Sequence, residues 1–482
     1  MLSGCTLPDS PDQFDTDREL GAVGEYTHDD VFEFDDSEAL TESQLEAVKY
    51  RSMARIEVLR GLKFEHDVEL ELITRDEYRS QRGESEPASV FTNELWRGAF
   101  IVDGETDVNQ AMDTLYGGAV GGYYTNDRIV IIADDTDAVR IDRETLVHEL
   151  VHALQDQHFG LERHGETIDK QRAELGLLEG EANYLPYLYE QRCGSEWQCV
   201  PTDDGPADEV SPGERPFNAG LFLSIYTPYS EGPSFVAHLH ERGGWDAVDR
   251  AYERYPASTS QLIHPERYPD DEPVAVEIPD RSSEDWVAYG PEGDPHTETV
   301  GEGTLFAALW ANGVIDRSLT AGSTELSPYN YSHPATDGWA GDTFQVYLDA
   351  TEDDRTGYVW YLEWERSADA EAFADAYRTL LENRGGAPVD AVDDAYRIPD
   401  SEPFGGAYRV TVSGNTVEIV GAPLAIDLEN VHESEATSSA QRTVETTAPV
   451  APGPVSMPSA TTAPVAPGPV SMPSATTAPA DG

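Results

Sequence analysis

Lysine is nearly missing from this chain. Of its 31 basic residues only Lys49, Lys63 and Lys170 are lysines. Basic residues of either kind are outnumbered by 92 Asp and Glu, which leaves a net charge of −61 over 482 residues. A surface this negative is repelled by a phosphate backbone, which argues against nucleic-acid binding. It also excludes attachment to a membrane through a basic patch. Long apolar runs are lacking too. The uncharged stretch from Phe217 to Ser230 is interrupted by Asn218, Ser224, Thr227 and Pro228. No segment therefore offers the roughly 18 apolar residues of a spanning helix. What is present suffices for a folded core: 39% hydrophobic and 9% aromatic residues exceed what an acidic disordered chain carries.

Many carboxylates with almost no lysine is the composition of proteins that work in concentrated salt. Surface carboxylates stay hydrated there, and at 1 M salt their repulsion is screened within about 3 Å. The charge thus reports surroundings more than activity. Cysteine is scarce, at three, and the odd count is informative. Cys5 closes Leu2-Ser3-Gly4-Cys5, which resembles a lipid-attachment box and predicts a lipid on Cys5, with a signal segment upstream of Met1. Cys193 and Cys199 bracket a short loop and predict a local disulfide in an oxidising compartment. Together they predict an extracellular or cell-surface protein that meets the membrane only through the lipid.

Four stretches follow from composition and periodicity. Residues 1–40 read as an acidic leader. Residues 41–282 carry helical spacing over 41–62, alternation over 67–74, a hairpin over 121–133 and helices over 142–157, 169–192 and 229–255. Residues 283–432 read as an α+β domain, with strands over 343–348 and 357–365, a helix over 369–383 and a hairpin around Ser413-Gly414-Asn415. Residues 433–482 form a Pro/Thr/Ala-rich tail in which Thr446–Ala460 recurs unchanged as Thr461–Ala475. Such a repeat favours extended polyproline II and predicts a spacer. Asn330-Tyr331-Ser332 is a sequon that predicts glycosylation of Asn330.

The chemistry concentrates in His148-Glu149-Leu-Val-His152. Histidines four residues apart on a helix project from one face, about 6 Å apart, and suit two corners of a tetrahedral Zn²⁺ site. Glu149 lies about 100° further round, where it reaches a water rather than the metal. A catalytic site needs a third protein ligand. His158, His164, Glu174, Glu179 and Glu181 are the candidates, and spacing alone does not choose between them.

Glu179-Gly180-Glu181-Ala182-Asn183-Tyr184 resembles the E-G-x-A-x-Y segment of gluzincin peptidases, the aminopeptidase-N-like group. The resemblance implies that Glu179 is the third zinc ligand, with an extra loop over 159–170 lengthening the gap from His152. It implies a mostly helical zinc-peptidase domain in which the strand Arg128–Ile132 forms a substrate-binding edge. Pro228-Tyr229-Ser230-Glu231-Gly232 resembles the aminopeptidase P-Y-E-K-G segment, which implies that Tyr229 stabilises the oxyanion. Glu231 stands where that family has lysine, and the G-A-M-E-N exopeptidase motif is absent from the sequence. Residues 40–270 as a whole resemble haloarchaeal surface proteins that share HELVHALQDQHF.

The sequence thus predicts an α+β, zinc-dependent peptidase acting on a peptide or protein substrate. His148, His152 and Glu179 are its expected ligands and Glu149 its general base. His264 is a candidate second oxyanion donor, and Asn183, one turn after Glu179, a candidate orienter of a ligand histidine. The rival expectation is a surface-anchored structural or binding lipoprotein that keeps the fold without chemistry.

Overall fold

The computed structural model describes residues 14–15, 17–34, 39–83, 85–116, 121–133, 141–200, 218–291, 294–352 and 355–434. Cys5, most of the leader and the repeat tail lie outside the described residues.

The chain opens with a two-stranded ribbon, β1 (Ala22–Val23) and β2 (Tyr26–Thr27), that packs on α1 (Glu42–Arg60). Thr41 caps α1 in a reciprocal box: its hydroxyl accepts from the Gln44 amide, and the Gln44 side chain accepts from the Thr41 amide. Next come β3 (Glu69–Thr74), α2 (Arg75–Arg82), α3 (Val90–Gly98) and α4 (Val108–Tyr116). The expected hairpin follows as β4 (Gly122–Thr125) and β5 (Arg128–Ala133). Asn126 and Asp127 both take positive φ, the backbone of a tight two-residue turn. In one respect the structure corrects the sequence reading. Strand β5 is central, not an edge, because β3 adds to it in parallel on the side away from β4. The edge strand contacting the motif helix is β4.

Five helices then build the centre: α5 (Arg143–Phe159), α6 (Ile168–Glu190), α7 (Ala219–Gly243), α8 (Trp245–Glu253) and α9 (Thr259–Ile263). Asp142 caps α5 by accepting from the Thr145 amide at 2.8 Å. Helices α6 and α7 cross through glycine. A Cβ at Gly180 would overlap the Gly232 carbonyl, and one at Gly232 would overlap the Gly176 carbonyl. The two backbones therefore touch where Glu179 sits.

The remainder is an eight-stranded antiparallel sheet. It contains β6 (Trp286–Ala288), β7 (Thr297–Glu298), β8 (Trp339–Asp349), β9 (Thr356–Trp364), β10 (Ala387–Pro388), β11 (Ala395–Ile398), β12 (Gly406–Ser413) and β13 (Thr416–Ala422). Helices α10 (Glu302–Ala311), α11 (Ser367–Asn383) and the short α12 (Leu428–Val431) complete it. The long strands are rich in aromatic and β-branched residues, as in Tyr358-Val359-Trp360-Tyr361, which pack well on a pleated surface. One apolar core joins Phe91, Leu223 and Ile263 to Phe306, Phe344 and Trp360. It crosses residue 283, so the two stretches read as separate domains share a core. The architecture is mixed, with helices and sheets largely segregated along the chain, an α+β arrangement.

Candidate metal centre

Helix α5 presents His148 and His152 on one face, and α6 runs against it with Glu179 opposite. His148 Nε2 and His152 Nε2 are 3.0 Å apart, and Glu179 Oε2 lies 3.3 and 3.4 Å from them. Zinc at about 2.0–2.1 Å from each donor, with tetrahedral angles, would set donors roughly 3.4 Å apart. The triangle fits that requirement. All three residues are buried, and Glu179 Oε2 has no hydrogen-bond partner. Glu149 is 0% exposed, and neither of its carboxylate oxygens meets a donor with hydrogen-bond geometry. Buried polar atoms left unpaired in this way are rare and mark a missing ligand or water.

The electrostatics agree. Burial opposes charge on His152, yet Glu179 outweighs it and raises the His152 pKa to about 9. Burial would raise Glu179, but the two imidazoles hold it down at about 2. Each shift is the mark of opposite charges held close together: a carboxylate set against imidazoles in a buried site. Burial also raises Glu149, tempered by the neighbouring histidines and the Tyr124 amide on β4.

Glu181 was the rival for third ligand. It turns away and is held by Arg60 of α1, Tyr252 of α8 and Gln155. Gln155 is a functional residue that the sequence reading missed. Its Nε2 donates to the Leu178 carbonyl at 2.9 Å, which fixes the amide. Its Oε1 then lies 2.8 Å from His152 Nδ1, so Nδ1 donates and Nε2 keeps its lone pair for a metal. The available signal was its position one turn after His152 on the same helix. Asn183, expected in that role, instead donates to the Glu179 backbone carbonyl at 2.8 Å. Its amide is satisfied within its own helix and does not orient a histidine.

A pocket of about 450 Å³ opens one turn from these ligands. Glu144 and Val147 border it from α5, Asn183 and Tyr187 from α6, and Tyr226 and Tyr229 from α7. Tyr229 thus reaches the pocket, but from mid-helix, where Pro228 and Pro233 are both built into α7. Tyr226, one turn earlier, stacks on Tyr229 with centroids 5.5 Å apart and feels the charges of Glu144 and Glu179.

Comparison with known proteins adds one finding. A family model described as "Domain of unknown function (DUF8575)" matches residues 287–432. The match lies in the sheet, downstream of every residue of the histidine–glutamate cluster. No curated protein and no solved structure matches the chain.

The remaining expected sites are elsewhere. His264 is not in the pocket. Its Nε2 lies 2.9 Å from Glu302 Oε1 and 3.6 Å from Asp337 Oδ1, a second cluster of three possible ligands. Burial opposes charge on His264, but the Glu302 carboxylate raises its pKa and takes its Nε2 as partner. Glu231, in place of the family's lysine, is buried and accepts from the Tyr331 amide at 3.0 Å, tying α7 to the loop before the sheet. Cys193 and Cys199 form a disulfide just beyond α6. Asn330 is half-buried, and its Oδ1 accepts from the Ser332 amide at 3.0 Å.

Proposed function

We propose that this chain is a zinc-dependent peptidase of gluzincin-like design. The observation that carries the reading is the triangle of His148 Nε2, His152 Nε2 and Glu179 Oε2, 3.0–3.4 Å on a side, with an unpartnered Glu149 carboxylate beside it. These three residues would hold the ion. Zinc bound there supplies Lewis acidity toward a carbonyl oxygen and acidifies water. Glu149 takes the proton of the attacking water and returns it to the leaving amine, and its buried, raised-pKa carboxylate suits that exchange. Gln155 holds His152 in the tautomer that leaves Nε2 free. Tyr229, on the pocket wall, is the proposed donor to the developing oxyanion. The disulfide and the lipid-attachment pattern at Cys5 support action at the cell surface.

The test combines metal analysis with digestion of a peptide library by the full chain and by Glu149→Gln. The expected result is one zinc per chain in both proteins and hydrolysis by the wild type alone, with a loss of about 10²- to 10⁴-fold in the variant. Equal hydrolysis by both would overturn the mechanism. A chain without bound zinc would overturn the site.

A further inference from the structure

The pocket beside the metal cluster is walled by aromatic rings and carries more negative charge than its one cation balances. Tyr187, Tyr189, Tyr226 and Tyr229 supply the rings. Three carboxylates, Glu144, Glu190 and Glu325, line it against Arg143 alone. Arg143 is already engaged: it pairs with Glu190 and donates to the Val200 carbonyl at 2.6 Å. Glu325 accepts only a neutral partner, the Tyr187 hydroxyl at 3.2 Å. Glu144 has no hydrogen-bond or ion-pair partner among the described residues. Its carboxylate is exposed to water and lines the pocket wall one turn before His148. Carboxylates set among aromatic faces form an environment that favours a cation over a neutral group.

Resting on the peptidase reading above, we propose that this pocket selects the substrate by taking a lysine or arginine side chain near the scissile bond. The alternative cationic group, a peptide α-ammonium, is only two bonds from the carbonyl of its own residue. Tyr187, which holds Glu325, lies eight residues beyond Glu179 on α6, a rise of about 12 Å. A lysine or arginine side chain, whose cation sits roughly 6–7 Å beyond its Cα, reaches past Glu144, one turn before His148 on α5, toward the Glu325 end of the pocket. The α-ammonium of the residue being cleaved does not.

The test is peptide binding to the zinc-loaded full chain carrying Glu149→Gln, which keeps the pocket and blocks turnover. The probes are fluorescent heptapeptides with capped amino termini, identical except for one residue (lysine, arginine, norleucine or glutamate) moved through every position. One further norleucine peptide keeps a free amino terminus. Measurements in 1 M salt, where the Debye length is about 3 Å, remove long-range attraction to the chain's net charge of −61. The expected result is binding at least tenfold tighter for lysine and arginine than for norleucine in one register. That preference should fall below threefold when Glu144→Gln and Glu325→Gln are added. Equal binding of lysine and norleucine in every register overturns the proposal, as does a preference untouched by the added substitutions. So does a preference carried by the free amino terminus alone. Wild-type hydrolysis separates the two readings. Cleavage indifferent to basic residues sinks the pocket assignment and leaves the peptidase. Selective binding with no cleavage of any probe supports the pocket and sinks the peptidase.

Discussion

The C-terminal sheet and the α5–α6 pair both bury carboxylates, and they treat them in opposite ways. In the sheet, Asp342 is 3% exposed and accepts four hydrogen bonds, from the amides of Val300 and Gly301 and the indoles of Trp339 and Trp360, at 2.8–3.0 Å. Every donor is neutral and supplied by the fold, so the buried acid is a structural keystone. Between the helices, Glu149 and Glu179 find little of this kind, because helical amides are already used within their own helices. What stands near them is imidazole. A buried acid surrounded by donors is complete, whereas one set mainly against imidazoles still has room for a ligand. The His264–Glu302 cluster is a third variant. Burial raises the Glu302 carboxyl and Glu302 raises His264, while the nearby Arg267 guanidinium opposes both shifts, so a fixed cation already stands beside the pair.

That contrast can be broken by experiment. Glu179→Ala should abolish stoichiometric zinc binding while the fold persists, read by metal analysis and circular dichroism. Asp342→Ala should do the reverse. It leaves two amides and two indoles without an acceptor, destabilises the chain by roughly 2–4 kcal/mol in urea unfolding, and keeps zinc. Loss of zinc in Asp342→Ala at low urea would show that the regions are not independent. Gly180→Ala should cost about 1–3 kcal/mol by forcing apart two backbones in contact, and should weaken zinc binding as well because Glu179 moves with α6. Gln155→Ala should weaken zinc binding by about 10- to 100-fold, measured by chelator competition, and cost about 1–3 kcal/mol because it also leaves the Leu178 carbonyl without its donor.

The last expected effect is a pH dependence. Burial raises the Glu231 carboxyl to about 7, above its ordinary 4.5. A carboxyl raised on folding stabilises the folded state fully below its unfolded pKa, and that contribution is lost as pH rises through 7. The wild type should therefore lose at most about 3 kcal/mol relative to Glu231→Gln between pH 4.5 and 8, read from paired melting curves. A constant difference over that window would mean that Glu231 is not held protonated.

Much of this was legible in the sequence. Asp142 and Thr41 announced helix starts, the turn at Asn126-Asp127 fixed the hairpin, and the aromatic strands of the sheet stood out by composition. The two histidines and Glu149 followed from helical spacing. Glu179 did not: Glu181 fits helical spacing as well, and Arg60, 121 residues away, draws it aside together with Tyr252 and Gln155. The partner of His264 was not legible, because Glu302 lies 38 residues on in another helix. The helix read over 229–255 begins earlier, at Ala219, because packing against α6 carries α7 straight through Pro228 and Pro233. Strand β5 was read as an edge because nothing local announces that β3, more than fifty residues earlier, joins it in parallel. In each case the deciding contact is distant in sequence.

If the chain holds zinc as proposed, the glycine crossing of α6 and α7 bears on how the ion would enter and leave. Glu179 is carried on a main chain that rests directly on another main chain, with no side chain between them to change rotamer. Such a seam has little freedom to relax when the ion is withdrawn. The three donor atoms should stay assembled in the metal-free protein, so that binding involves little loss of conformational entropy. Zinc could then be stripped and restored repeatedly in a chain that never unfolds.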